Sequence, residues 1–212
     1  GIRDKLVTGV QTCALPIWQA LEGRSRAVQY VGTIGAWAVW GTALVATLVP
    51  TTVSLTALRM LVPTVVVAAA VSWGAGASTG AAILALAASV VVSVVAFSGE
   101  LGEVFAQGSA YGHERRLPLR PPAALMIVLP IMWAALTAAV LIGPLLLAAE
   151  TLAAGIPVAA TAVALGIVLP KRFHRLSRRW IVVVPAGLVL HDHVVLAETF
   201  LVPTKDVAGV GL

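Results

Sequence analysis

Five long apolar runs, each nearly free of charge, constrain this 212-residue chain more than any other feature. The runs cover residues 31–49, 54–73, 78–98, 123–147 and 152–169. A helix of about 20 apolar residues rises about 30 Å, which matches the hydrocarbon thickness of a bilayer. The expected fold is therefore mainly α, a polytopic bundle of about five transmembrane helices.

The composition argues against a soluble protein. Hydrophobic residues make up 59% of the chain and charged residues 11%, whereas about 25% of a typical soluble domain is charged. The net charge of +5 could indicate nucleic-acid binding. However, the basic residues flank the apolar runs and form no face interleaved with aromatic residues. The expected partner is therefore the lipid bilayer, with no nucleic acid.

Residues 1–17, GIRDKLVTGVQTCALPI, resemble the translation of a sequencing-library adapter. In this interpretation Lys5 and Leu6 occupy the index bases. Segments of such an origin are excluded from fold reasoning. Cys13, the single cysteine, is then set aside, so no thiol chemistry is predicted. We expect the authentic sequence to begin near Trp18, with its native N-terminus missing.

The pattern changes after Pro170, where residues 171–212 combine a basic linker with short β-branched runs. Residues 181–184, 188–190 and 199–202 are apolar and are separated by turn residues, Pro185 to Gly187 being the clearest. Short runs between turns are typical of β-hairpins. A lone hairpin is marginally stable, so we expect a truncated β module.

The charge distribution predicts how the chain is oriented in the membrane. Five basic residues follow the last span, and cytoplasmic flanks are the ones enriched in Lys and Arg: Lys171, Arg172, Arg175, Arg178 and Arg179. The C-terminal module and the loop at residues 99–120 are then cytoplasmic. The excess of Arg over Lys, with abundant Ala, Val and Gly, is typical of a GC-rich bacterium, so the predicted location is the bacterial cell (inner) membrane.

Arg24 and Arg26 conflict with this orientation, because five spans place them outside the cell. Three explanations stay open. The second apolar run could be re-entrant, since Arg59 and Pro63 weaken it. An upstream span could be missing, or the other basic residues could outweigh these two.

Arg59 is the one charge inside an apolar run and is therefore the intramembrane functional candidate. It lies near the start of its run, so snorkelling to the headgroups is favoured over a transport or gating role. The five basic residues after the last span are candidates for contact with anionic headgroups, alongside a plain orientation signal. Ala81, Ala85, Ser89 and Ser93 place small residues on one helical face, where a close helix contact could form and serine hydroxyls could bond across it; general alanine richness is the equal alternative.

No catalytic, cofactor or metal site is predicted. His191 and His193 could share one side of a strand, as zinc ligands do, but no third ligand is identifiable. A turn at His191-Asp192-His193 is the favoured interpretation. No HExxH, GxSxG or phosphate-loop motif occurs in the sequence.

The segment RRWIVVVPAGLVLHDHVVLAETFLVPTKDVAGVGL resembles the start of a bacterial pleckstrin-homology-like domain (PH-like domain), with a strand, a glycine turn and a second strand. The chain from Trp18 is also similar to uncharacterised multi-span membrane proteins of actinobacteria, through YGHERRLPLRPP and FHRLSRRW. These resemblances imply a membrane-attached module and no reaction. The expected function is a non-enzymatic anchor or scaffold that presents the β module to a protein, a lipid or a second copy. The alternative is a small transporter or permease subunit, because prolines interrupt several spans.

Overall fold

The computed structural model describes residues 16–110, 114–192, 194–196 and 198–206. Residues 16–21 are helical and form α1. The other helices are α2 (Arg26–Leu48), α3 (Thr52–Gly74), α4 (Thr79–Phe97), α5 (Gly99–Gln107), α6 (Leu125–Ala148) and α7 (Leu152–Ser177). The strands are β1 (Arg115–Pro118), β2 (Trp180–Val184), β3 (Gly187–His191) and β4 (Phe200–Pro203), and a 3-10 turn covers Thr204–Asp206.

Within the described residues, α2, α3, α4, α6 and α7 are long and apolar enough to cross a membrane. This confirms the predicted class, a mainly α bundle of five spans followed by a small β-sheet. The first span begins earlier than predicted, at Arg26, because the Ser25 hydroxyl caps it by accepting from the Val28 N–H at 3.4 Å.

The last span continues well past its predicted end at residue 169. Helix α7 includes Pro170 and runs to Ser177, whose hydroxyl donates to the Phe173 carbonyl. Basic side chains favour the C-terminal turn of a helix, and both His174 and Arg175 lie in that turn. The predicted basic linker is therefore largely helical.

Helix α3 is the centre of the bundle and packs against α2, α4, α6 and α7. It is continuous through Pro63 over 23 residues, so the re-entrant alternative does not describe it. Pro63 has no N–H, so it cannot supply the hydrogen bond that the Arg59 carbonyl, four residues earlier, would accept in a regular helix. Beside that position, the Met60 carbonyl accepts a hydrogen bond from the Trp133 indole N–H of α6, at 3.0 Å. This bond joins α6 to the proline-containing part of α3.

The small face of α4 packs as predicted only in part. Ala85 and Ser89 are buried, but Ala82 and Ala96 take the other buried positions. The serine hydroxyls do not bond across the contact: Ser89 donates to the Leu86 carbonyl and Ser93 to the Ser89 carbonyl of the same helix. Within a helix, the nearby backbone carbonyl is the closer acceptor for a serine hydroxyl.

The four strands form one antiparallel sheet in the order β1-β2-β3-β4. The hairpin of β2 and β3 and the following strand were expected. β1 was not, since it comes from the loop between α4 and α6 and pairs with β2 through Arg116↔Val182. The prediction that the β module lies wholly within residues 171–212 is therefore wrong. The four residues of β1, RRLP, form a segment that is too short and too polar for the sequence alone to predict a strand.

Different elements lie at the two ends of the helical bundle. At one end, the Gln19 side-chain oxygen accepts from the Ser78 N–H at 2.9 Å, so the residues before α2 lie beside the α3–α4 turn. At the other end lie α5, the sheet and the last turns of α7, and we name this the basic end. Arg24 and Arg26 lie at the end opposite to it.

Candidate functional site at the basic end of the bundle

Helix α5 connects the bundle to the sheet. Phe105 is 4% exposed and packs into a core that includes Leu55 and Leu58 of α3. The Ser98 hydroxyl caps the helix by accepting from the Leu101 N–H at 3.2 Å. One side of α5 therefore closes the end of the bundle, and its remaining contacts are with β1.

Arg59 joins α3 to the C-terminal end of α4. Its Nε donates to the Ala96 carbonyl at 3.0 Å and its Nη2 to the Ser98 carbonyl at 3.4 Å. The guanidinium also lies over the Phe97 ring, 5.8 Å from its centroid. The last carbonyls of a helix have no partner within the helix and carry partial negative charge. Arg59 supplies both hydrogen bonds and positive charge to this helix end.

This geometry gives Arg59 a different role from either one predicted. The side chain extends toward the basic end, as snorkelling requires, but it reaches protein carbonyls rather than lipid headgroups. Gly102 of α5 allows this approach, because a Cβ there would lie 3.0 Å from Arg59 Nη2. The sequence identified Arg59 as a charge inside an apolar run. It could not identify the two acceptors, because the Ala96 and Ser98 carbonyls are backbone atoms that no pattern of residue types reveals.

His174 ties α7 to α3 at the same end of the bundle. Its Nδ1 lies 3.2 Å from the Thr56 hydroxyl, which in turn donates to the Thr52 carbonyl at 2.8 Å. Because that hydroxyl has one proton to give, the tautomer with a proton on Nδ1 completes the chain of hydrogen bonds. His174 therefore belongs to the helix interface, although it lies within the basic stretch.

Arg179 and Asp192 form a buried ion pair where the chain passes from α7 into the sheet. Both side chains are 6% exposed. Arg179 Nε donates to Asp192 Oδ1 at 2.7 Å and Nη2 to Oδ2 at 2.6 Å, a two-point pairing of the strong kind. Arg179 Nη1 donates to the Arg120 carbonyl at 2.9 Å. Arg179 therefore does not reach the membrane surface as predicted.

The Asp192 carboxylate is also held by the turn that follows it. The Val194 and Val195 N–H groups donate to Oδ1 at 3.1 and 3.3 Å. The Arg179 hydrogen bond, more than these turn contacts, holds the pKa of Asp192 below its usual range, although burial opposes the shift. The predicted turn after β3 is thus organised by Asp192, for which the sequence predicted no structural role.

An aromatic stack crosses three strands on one face of the sheet. The Trp180 and His191 rings lie nearly parallel, with centroids 5.3 Å apart. The Arg116 guanidinium lies 5.2 Å from the centroid of the Trp180 ring and pairs with Glu114 at 2.6 Å. Trp180 and Val182 on this face are buried, so we name it the closed face.

The opposite face of the sheet is apolar on β2, β3 and β4, carries Arg115 and Leu117 on β1, and has no buried member among the described residues. Cross-strand register places Ile181, Leu190 and Phe200 in one row and Val183, Leu188 and Val202 in the next. Phe200 is 60% exposed. We name these six side chains the open face.

The Gln107 side chain of α5 covers the outer edge of β1. Its Nε2 donates to the Glu114 carbonyl at 2.8 Å, and its Oε1 accepts from the Arg116 N–H at 3.0 Å. Unpaired strand edges invite pairing with other chains. The Gln107 amide thus makes two hydrogen bonds of the kind that a neighbouring strand would make with this edge. The sequence did not predict this contact.

The remaining predicted surface residues lie together at the end of α7. Lys171, Arg172, Arg175 and Arg178 are exposed, and none forms an ion pair with a described residue. We name these four side chains the basic stripe. Of the five predicted surface-contact residues, only Arg179 is turned inward.

Other candidates are not assembled into a site. In the described part of the chain, no three His, Cys, Asp or Glu residues lie close enough to hold a metal ion. His193, Cys13 and residues 1–15 of the adapter-like segment lie outside the described residues.

Comparison with protein-family models, curated proteins and solved structures found no match to this chain. The PH-like and actinobacterial resemblances therefore stay predictions.

We expect Arg59→Ala to lower the free energy of unfolding by about 1–3 kcal/mol, because it leaves two helix-end carbonyls without their charged donor. Arg59→Lys should lose less, since an ammonium can still reach one carbonyl. Thermal unfolding of the detergent-solubilised chain measures both changes. Arg115→Ala is the control, because Arg115 forms an exposed pair with Glu103 that contributes at most about 1 kcal/mol. Equal effects of Arg59→Ala and Arg115→Ala would contradict the helix-end role.

We expect Asp192→Asn to loosen the sheet by about 3 kcal/mol, because it leaves the Arg179 charge buried without a partner. A lowered pKa means that the stabilisation is present above the usual carboxyl range and is lost as pH falls through the lowered pKa. In protein labelled with fluorotryptophan, the fluorine resonance of Trp180, separate from those of the other five tryptophans, should therefore report acid loosening in wild type between pH 7 and pH 2. Asp206→Asn, in the exposed 3-10 turn, should leave this acid transition unchanged, whereas Asp192→Asn should remove it.

Proposed function

We propose that this protein is a non-enzymatic membrane anchor that presents its four-stranded sheet, at the membrane surface, to another protein. One observation carries the proposal. The sheet combines a strand from the loop between two spans with three strands that follow the last span.

This construction holds the sheet firmly on the bundle. β1 is attached to α5, whose Phe105 packs in the helical core. β2 follows α7 directly, and the Arg179–Asp192 pair braces that junction and reaches the Arg120 carbonyl before α6. A module held by both segments keeps one orientation relative to the membrane, as an anchored recognition surface requires.

The open face supports contact with a protein rather than with solvent alone. Exposed apolar groups that cluster on one surface are typical of interaction sites. On the closed face the aromatic stack buries Trp180, although Leu201 there is 50% exposed, and the β1 edge is covered by Gln107. The open face has no buried member among the described residues, and this favours it as the surface for a partner.

The transporter alternative has less support from the polar groups within the spans. Arg59, Trp133, Ser89 and Ser93 all bond to protein carbonyls. Transport sites need polar groups that are free to bind a solute or a proton. The observed bonds favour a structural role for these side chains.

We further propose a bacterial cell (inner) membrane location with the basic end in the cytoplasm. The basic stripe supports this orientation, because four basic side chains there have no acidic partner among the described residues, and such charge is retained on the cytoplasmic side. Arg24 and Arg26 at the opposite end are then outweighed.

Orientation is measured by labelling single cysteines in intact cells with an impermeant maleimide. In a Cys13→Ser background, Glu22→Cys should be labelled from outside and Glu198→Cys only after the cells are opened. Both positions are exposed and lie at opposite ends of the bundle. The reverse labelling pattern would reject the cytoplasmic placement of the sheet.

The partner surface is tested by photo-crosslinking residues placed at Phe200 or at Leu201 of the full chain in cells. The two neighbours are 60% and 50% exposed but lie on opposite faces of β4. We expect a discrete protein adduct from position 200 and none from position 201. The adduct should weaken at least several-fold with Leu190→Ser, the cross-strand neighbour of Phe200, while thermal unfolding of the purified variant shows a folded chain. Equal adducts at both positions, or none, would contradict the proposal.

A further inference from the structure

We propose that Lys171, Arg172 and Arg175 of α7 bind the phosphates of anionic phospholipids in the leaflet that surrounds the bundle. This inference rests on the membrane placement in the proposed function and not on its sheet-binding role. It concerns selection among lipids, which is a separate property from orientation.

The three residues continue the lipid-facing side of α7. Ile167 and Val168 are 59% and 50% exposed, as expected of side chains that face acyl chains. Residues four apart in a helix share a face, so Lys171 follows Ile167 and Arg172 follows Val168. Arg175 lies one turn beyond Lys171. Their neighbours Phe173 and His174 are half-buried, and His174 bonds to Thr56 of α3.

The charge of these residues is not neutralised within the described protein. Lys171, Arg172 and Arg175 form no ion pair among the described residues, where the pairs are Glu103–Arg115, Glu114–Arg116 and Asp192–Arg179. An exposed guanidinium or ammonium beside the bilayer attracts anionic lipid by about 1 kcal/mol. Three such groups on adjacent turns of α7 therefore give a surface that is selective for anionic phospholipids.

The depth of the three residues matches the phosphate layer. The predicted apolar run of α7 ends at Leu169, and at about 1.5 Å per residue Lys171 lies about 3 Å beyond it, Arg172 about 4.5 Å and Arg175 about 9 Å. The headgroup layer is about 5–8 Å thick on each side of the hydrocarbon core, so the first two lie within it and Arg175 lies at its outer boundary. Arg178 lies about 14 Å beyond Leu169, above that layer. Arg178 should therefore contribute less than the other three.

The test uses the full chain in nanodiscs made of equal parts phosphatidylcholine and phosphatidylglycerol, with retained lipids counted by native mass spectrometry. We expect phosphatidylglycerol to be enriched in wild type. Single changes K171Q, R172Q and R175Q should each lower the enrichment up to about fivefold, the factor that about 1 kcal/mol produces. The triple variant should lose it, and R178Q should lower it least.

The double variant Arg24→Gln and Arg26→Gln is the matched control, because it removes two arginines from the opposite end of the bundle and should retain the enrichment. Thermal unfolding of each purified variant checks that it is folded. The proposal is overturned if the triple variant retains phosphatidylglycerol as wild type does, or if the control loses it equally. It is also overturned if inorganic phosphate alone stabilises the chain against heat as well as phosphatidylglycerol, since the site would then bind free anions. If wild type itself shows no phosphatidylglycerol enrichment while crosslinking at position 200 is intact, this inference is rejected and the proposed function stands.

Discussion

The hydrocarbon core offers no water to a polar group, so polar groups within the spans depend on other protein groups for their hydrogen bonds. At the centre of the bundle two side chains donate to the backbone of another helix. Trp133 of α6 donates to the Met60 carbonyl of α3, and Arg59 of α3 donates to the Ala96 carbonyl at the end of α4. These bonds make α3 the helix on which the arrangement of the others depends. The position of α5, and through it the sheet, follows from that arrangement.

The bundle and the sheet are joined by contacts of three different kinds. Phe105 provides apolar packing, Gln107 provides backbone-like hydrogen bonds to β1, and the Arg179–Asp192 pair provides a buried charge interaction. Breaking a buried pair by removing one partner is costly, whereas apolar packing tolerates conservative changes. The aspartate is therefore the position at which the junction is least tolerant of substitution.

Apolar runs predicted the five spans because length and lack of charge are local properties of the sequence. The same reasoning placed the β2–β3 hairpin, where Gly187 adopts a φ of +152° and a Cβ would meet the Val202 carbonyl oxygen. The apolar runs did not predict β1 or α5. The four residues of β1 include two arginines and form a strand only because β2 lies beside them. The sequence reasoning also misassigned Arg179, because nothing in the local sequence indicates that Asp192, thirteen residues later, faces it. Long-range partners decided each case that the sequence alone did not predict.

The origin of β1 has a consequence for how the protein is made. β1 leaves the ribosome before α6 and α7, but the strand with which it pairs in the described sheet, β2, follows α7. The sheet therefore cannot be completed until the α6–α7 hairpin has entered the membrane and returned to the same side. A chain in which only one of the two helices crosses leaves β2 on the opposite side of the membrane from β1, and β1 then has no strand to pair with. Formation of the sheet thus depends on α6 and α7 crossing the membrane as a pair.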